Sequence, residues 1–436
     1  MFLNMTRKEK PERPPDMQFI PRKSHKNCNK KKYKTNDTIN VTCLINMRTL
    51  DNTKQKSRLT NYFGIRRMIT SDMFNEELID SCDTDKVFSS MWLNDKQVLF
   101  GTKCKKLKVF NALTKEVFQI PTLRGSVECH HADDFPCGMH SIQMNPSKTL
   151  VATGAKCSAN VGIYQLPSLE PVCVGENGHG DWVFDMVWLD DEFIVSGGRD
   201  SKISLWQVSH SDYEQKEQHP SHFYIQPTIS KKCRSADKIR SLAFSKKHLE
   251  LVALSVNARL HVWDIHSFKQ KQSYCVPFQA ENVCLRLHEQ RNCYAVGSKS
   301  HITMIDADTL VPAFEIIAEQ PGCSIRSLSF NDDLLTIGTG IGTIMFYDLR
   351  AQKYLQSSLV PDTHSLHNDL AYTAKLITSR GTIVQNDSFW DVYHGPEDYY
   401  RPAIYTHSYD VSRTHLFVGG GPLPAALEGC YLGLWR

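Results

Sequence analysis

A chain of 436 residues with 41% hydrophobic and 22% charged residues has the size and balance of a soluble globular protein carrying some unstructured sequence. No apolar run approaches the ~20 residues of a membrane span, and MFLNMTRKEK turns polar too early for a secretory leader, so the fourteen cysteines are expected to be reduced and the protein cytoplasmic and nuclear, with no membrane partner. The net charge of +4 is uneven: residues 1–34 hold eleven Lys or Arg against three acids, which leaves a mildly acidic remainder.

Residues 1–52 lack a sustained hydrophobic period and are rich in Lys, Asn, Thr and Pro, the composition of a disordered basic tail. Within it KNCNKKKYK, from Lys26 to Lys34, suits a nuclear-import signal or a nucleic-acid contact, and equally a solvated tail. The run has no interleaved aromatic beyond Tyr33 and lies outside the fold, which counts against nucleic-acid binding as the main role.

In residues 53–80, Leu59, Tyr62, Phe63 and Met68 recur at roughly helical spacing. Thr70-Ser71-Asp72 can cap a second helix carrying Phe74, Leu78 and Ile79. The segment is therefore expected to be helical, its apolar stripe either packing on its own body or inserting into a partner.

From residue 81 to 436 one pattern recurs. Its most complete copy is Gly178–Val208, three short alternating runs separated by turn residues, which predicts strands. His179, Ser196, Asp200 and Trp206 stand where a single buried hydrogen-bond network needs them, as structural groups that satisfy one another. The first-strand signature appears seven times, at KVFSSMWL, GMHSIQMN, DWVFDMVW, DKIRSLAF, ENVCLRLH, CSIRSLSF and PAIYTHSY. Aligned on Phe88, His140, Phe184, Arg240, Cys284, Arg326 and Tyr405, the copies lie 52, 44, 56, 44, 42 and 79 residues apart. The shorter spacings match a blade of about 40–45 residues. The expected fold is all-β, a seven-bladed WD40 propeller preceded by the helical segment and the tail. Because the last copy stops at Trp435-Arg436 after its third strand, a segment before Lys86 should supply the missing outer strand and close the ring. The longer spacings place insertions at about 121–137, 209–236 and 353–400, the last acidic and aromatic-rich and long enough to cover part of the surface.

No motif for catalysis or for a cofactor emerges. ECHHADDFPCGMH offers Cys129, His130, His131, Cys137 and His140, but the spacing fits no common zinc site. The runs Gly338–Gly342 and Gly419–Gly421 lack the spacing and following helix of a phosphate loop. What recurs at equivalent repeat positions is positive charge. Lys86 and Lys238 precede first strands, Arg240 and Arg326 occupy the aligned position, and Lys103 and Arg199 follow second-strand glycines. In a propeller these six should converge on one end of the channel as a basic pocket for an anionic ligand, with Arg199 pointing at its mouth.

Several stretches, PVCVGENGHGDWVF, SGGRD, KIRSLAF, ENVCL, IGTGIGTIMFYDLRAQ and FVGGGPLPAALEGCYLGLW, resemble the DCAF group of WD40 proteins, the substrate receptors of cullin-4 RING ubiquitin ligases. The resemblance covers roughly residues 60–436 and implies a non-catalytic subunit. It would dock on the adaptor damaged-DNA-binding protein 1, and through it on cullin-4, and would present substrate proteins for ubiquitination and degradation. Such receptors carry a W/Y-D-x-R motif at a blade end; Tyr347-Asp348-Leu349-Arg350 matches it, while Trp263-Asp264-Ile265-His266 departs at its last position. A helical segment before the propeller usually inserts into the adaptor, which implicates Leu59, Tyr62 and Phe63. In the member most like this chain the target is an acidic C-terminal degron with twin glutamates, and Lys86, Lys103, Arg199, Lys238, Arg240 and Arg326 all fall in matching segments. The alternative is a WD40 scaffold without a ligase role.

Overall fold

In the computed structural model, residues 64–80, 83–126, 138–209, 222–358, 373–384, 401–425 and 427–436 are described. They lie in the compact unit Arg58–Arg436; the other unit, Met1–Ser57, falls outside them. So do the basic tail, the expected contacts Leu59, Tyr62 and Phe63, the Cys129–Cys137 cluster and most of the 353–400 insertion.

Seven sheets, each with an antiparallel body, make the seven blades of a propeller. The first runs Val87–Trp92, Gln97–Thr102, Leu107–Asn111 and Val117–Ile120 from the channel outward. Burial follows that order. In the sixth blade every residue of Leu334–Thr339 and Thr343–Asp348 is buried, because neighbouring blades cover both faces of the middle strands. The outer strand Lys269–Cys275 of the fourth blade has no buried residue, and its sequence KQKQSYC is polar. The core lies between blades: Leu150, Ala152 and Ile163 of the second pack on Val183, Ile194 and Trp206 of the third. Each fully buried large aliphatic or aromatic side chain contributes about 1.5–3 kcal/mol. The second-strand glycines mark where blades approach most closely. A Cβ at Gly197 would stand 2.6 Å from Ile239 Cγ2 of the next blade, and one at Gly338 would stand 2.8 Å from Ile404 Cγ2.

The ring closes between the two ends of the unit. Glu76–Leu78 pairs antiparallel with Trp435–Gly433 as the outer strand of the seventh blade. Asn75 and Arg436 exchange backbone hydrogen bonds of 2.9 and 3.1 Å. This corrects the expected second helix. Among the described residues the segment forms one helix, 64–70, and after the turn at Ser71-Asp72 the chain becomes extended, because the strand position beside Trp435 satisfies its backbone. Ile65, Ile69 and Phe74 pack against Leu416, Tyr431 and Trp435, so the described part of the segment rests on its own propeller.

The insertions add edge strands. Phe223–Ile225 pairs parallel with Glu170–Gly175 of the second blade, while Ile229–Lys232 is the outer strand of the third. Lys375–Ile377 and Thr382–Val384 pair with the third strands of the sixth and seventh blades. Cys157 is disulfide-bonded, a departure from the all-reduced expectation, while Cys104, Cys233, Cys275, Cys284, Cys293, Cys323 and Cys430 are in no disulfide. No described helix is long and apolar enough to cross a membrane.

Candidate ligand-binding site

The innermost strands enter the channel through a repeated irregularity. In five blades the strand register skips one residue, at Phe88, Phe184, Arg240, Arg326 and Tyr405, between two neighbours that are paired in the ladder. Such a bulge re-aims a side chain out of the ladder, here into the channel. These are the residues aligned from sequence, with one correction. In the fifth blade Cys284 pairs with Gly297 as Ser327 pairs with Gly338, so the equivalent position is Val283, one residue earlier.

The mouth is divided by chemistry. On one side Tyr405, Phe88, His140 and Phe184 form a continuous arc: Tyr405 meets Phe88 edge-on at 5.1 Å, Phe88 stacks on His140 at 4.5 Å, and His140 meets Phe184 edge-on at 5.0 Å. On the other side are arginines. The Arg240 guanidinium lies over Phe184, 4.7 Å from the ring centroid. Among the described residues it has no ion pair and no hydrogen bond. Arg326 donates through Nη2 to Glu281 at 2.6 Å, while its buried Nε has no partner among the described residues. Arg286, absent from the sequence-derived set, lines the same cavity of about 100 Å³. It donates through Nε to the Leu328 carbonyl at 3.2 Å and through Nη1 to the Leu285 carbonyl at 3.4 Å.

Asp185 lies beneath this layer, accepting from Ser141 Oγ, Ser241 Oγ and Leu242 N at 2.8 Å each and from Met186 N at 2.9 Å. Its oxygens are thus occupied by donors from three blades. Burial lowers the pKa of Arg240, with Asp185 opposing that shift and Arg326 adding to it. The cavity therefore concentrates cations close to one another, with its deepest carboxylate already satisfied.

Of the six expected cations, two lie on the walls of this cavity. Arg240 and Arg326 line the cavity; Lys86, Lys103, Arg199 and Lys238 are not among its walls. Lys86 is 2% exposed and donates to the Pro424 carbonyl at 2.5 Å. Burial, reinforced by Lys103, brings its pKa down to about 8. Lys103 pairs with Asp85 at 2.9 Å and reaches the Ala425 carbonyl at 3.3 Å. These two lysines hold the loop carrying Pro424 and Ala425, each giving one of its donors to a loop carbonyl. Arg199 lies over Trp182, 4.6 Å from the centroid, with Nε 3.7 Å from Asp181. Trp182 in turn meets Phe184 of the aromatic arc edge-on, with ring centroids 6.4 Å apart. Lys238 is half-buried on the strand approach to Arg240.

The four structural residues meet in one network. His179 Nε2 lies 2.8 Å from Ser196 Oγ, which accepts from Trp206 Nε1 at 2.8 Å, and His179 Nδ1 lies 3.1 Å from Asp200. Burial raises the Asp200 pKa, but the bond from His179 and the amides of Gly180 and Lys202 hold it below the ordinary value.

At the opposite end of the sixth blade, Asp348 closes the turn after the third strand, accepting from Arg350 N at 2.8 Å and Ala351 N at 3.2 Å. Its second oxygen pairs with Arg66 of the 64–70 helix. Tyr347 packs edge-on against Tyr354 at 5.2 Å, and the Arg350 side chain is 57% exposed. In the fourth blade Asp264 closes the corresponding turn on Ser267. Among the described residues no cluster of His, Cys, Asp or Glu could hold a metal.

Fold and site together define a seven-bladed WD-repeat propeller with a cation-lined channel mouth at one end and an aspartate-closed Y-D-x-R turn at the other. The model of the DDB1- and CUL4-associated factor 12 beta propeller matches residues 71–436, and the chain belongs to that family. It is also similar to a CCR4-associated factor 4 homolog of Vanderwaltozyma polyspora, 25% identical over 167 residues, which are 38% of this chain and 22% of that protein. The chain thus spans about a fifth of that relative's length.

Sequence reasoning missed Arg286, Asp185 and the aromatic arc. The arc was present in the alignment as Phe88, His140, Phe184 and Tyr405, but which of these touch depends on blade order around a closed ring. Arg286 carried no repeat signal.

Proposed function

We propose that the protein is the substrate-recognition subunit of a cullin-4 RING ubiquitin ligase, docking on damaged-DNA-binding protein 1 and capturing acidic C-termini, twin glutamates above all, in the channel mouth. The observation that carries this reading is Arg240. A guanidinium held over Phe184 in a cavity, with no carboxylate bonded to it among the described residues, favours an incoming anion. Arg326 reinforces it, since an acidic ligand can compete with the partly exposed Glu281 for its donors. The family assignment supports the adaptor half, with the exposed Arg350 and the ordered Asp348 turn as its contact.

Titration with a peptide ending in Glu-Glu tests the ligand half. Binding should be lost with a Lys-Lys ending and in the Arg240→Gln/Arg326→Gln double variant, whose neutral side chains avoid placing another carboxylate beside Asp185. Equal affinity for all endings would refute it. Co-purification tests the adaptor half: recovery of the intact chain without damaged-DNA-binding protein 1 and cullin-4 would favour a scaffold outside the ligase.

A further inference from the structure

The channel holds a third arginine that neither the repeat positions nor the mouth explains. Arg286 belongs to the fifth blade, on the strand Cys284–His288, three residues beyond the mouth position Val283. At about 3.4 Å per strand residue it is rooted roughly 10 Å deeper than Arg240 and Arg326, and its guanidinium, held at the Leu328 carbonyl two residues past Arg326, sits roughly 7 Å below that level. The three arginines nevertheless line one continuous cavity. Arg286 is oriented by two backbone carbonyls, Leu328 and Leu285, which hold Nε and Nη1. Its Nη2 has no hydrogen bond, and the side chain no ion pair, among the described residues. Nearby His407 is not a competing cation. Its Nδ1 and Nε2 lie 2.8 and 2.7 Å from Ser327 Oγ and Ser329 Oγ, and burial, then Arg286, lowers its pKa to about 3.

Two cations at the mouth and one below them match an extended acidic terminus in spacing as well as in sign. Two residues of extended peptide span roughly 7 Å, so side-chain carboxylates near the mouth would leave the chain's end at the lower level. We propose that the ligand enters carboxylate-first and that Arg286 reads its terminal α-carboxylate, while Arg240 and Arg326 read the side-chain carboxylates above. This rests on the acidic-terminus reading above and adds a direction of entry and a division of labour among the arginines.

The test uses three peptides of one sequence, ending in Glu-Glu acid, Glu-Glu amide and Gln-Gln acid, against the full chain and its Arg286→Gln and Arg286→Lys variants. The wild type should prefer the acid to the amide by about 10- to 100-fold, the value of one charge-assisted contact. In Arg286→Gln that preference should fall to near one, while the preference for Glu-Glu over Gln-Gln persists. Arg286→Lys, which keeps the charge, should restore part of it. Melting curves identify a variant that fails to fold, and retention of Glu-Glu over Gln-Gln selectivity marks an intact mouth. An undiminished acid-to-amide ratio in Arg286→Gln would overturn the assignment and leave the mouth reading standing. Failure of every peptide to bind the wild type would overturn both.

Discussion

One bulge supplies both partners of Arg240: Phe184, over whose ring the guanidinium sits at 4.7 Å, and Asp185, the next residue, whose charge opposes the effect of burial on it. The third blade thereby positions a cation that belongs to the fourth.

Phe184→Leu should weaken acidic-peptide binding several-fold without unfolding the protein, because a cation–π contact is worth about 0.5–2 kcal/mol. Arg240→Gln should weaken it by at least tenfold. Calorimetric titration of both variants checks the order; a Phe184→Leu protein that binds as tightly as wild type would show that the stacking does not position the guanidinium.

Ser196→Ala should destabilise the fold by about 1–3 kcal/mol, because it leaves the Trp206 N–H and the His179 ring nitrogen buried without a partner. Denaturant unfolding should show a lower midpoint with an unchanged slope. Peptide affinity measured well below that midpoint should be unaltered.

Acid should destabilise the protein earlier than its carboxylates alone would. Burial, then Arg259, lowers the His261 pKa to about 4, and burial, then Arg286, lowers that of His407 to about 3. Both stay neutral in the fold and take up protons once unfolded. Their stabilising contribution is full above about pH 6.5 and is lost as pH falls towards the folded values. From pH 6.5 to 5 each should remove about 2 kcal/mol. Unfolding midpoints across that window should fall less steeply in a folded His407→Asn variant than in the wild type.

The two ends of the Y-D-x-R turn should separate on mutation. Asp348→Ala removes the acceptor of two turn amides and of Arg66, and should loosen the 64–70 helix, seen as faster amide exchange there. Arg350→Glu acts on an exposed side chain; it should leave the melting temperature within a degree or two and reduce recovery of the adaptor.

The repeat was legible in sequence because a blade is a local object. Alternation, turn glycines and the His179, Ser196, Asp200 and Trp206 positions all fall within 31 consecutive residues. The open end at Trp435-Arg436 likewise foretold a strand from the other terminus, since an unpaired blade edge is costly, and Glu76–Leu78 takes that place. The second helix was misread for the same reason: local capping and spacing favoured it, and a pairing partner more than 350 residues away overrode them.

The site was legible only in outline. Equivalent repeat positions identified Arg240 and Arg326, because the blades that carry the bulge present the bulged residue to the same axis. That the loop carrying Pro424 and Ala425 would engage Lys86 and Lys103, that Trp182 would hold Arg199, and that Arg286 would share the cavity depended on contacts between blades or with long loops. Sequence by itself determined the blades and their common axis, through periodicity and turn chemistry. Only the tertiary structure decided which cations face the channel, because a long basic side chain goes to whichever acceptor, ring or cavity ring closure brings within its reach.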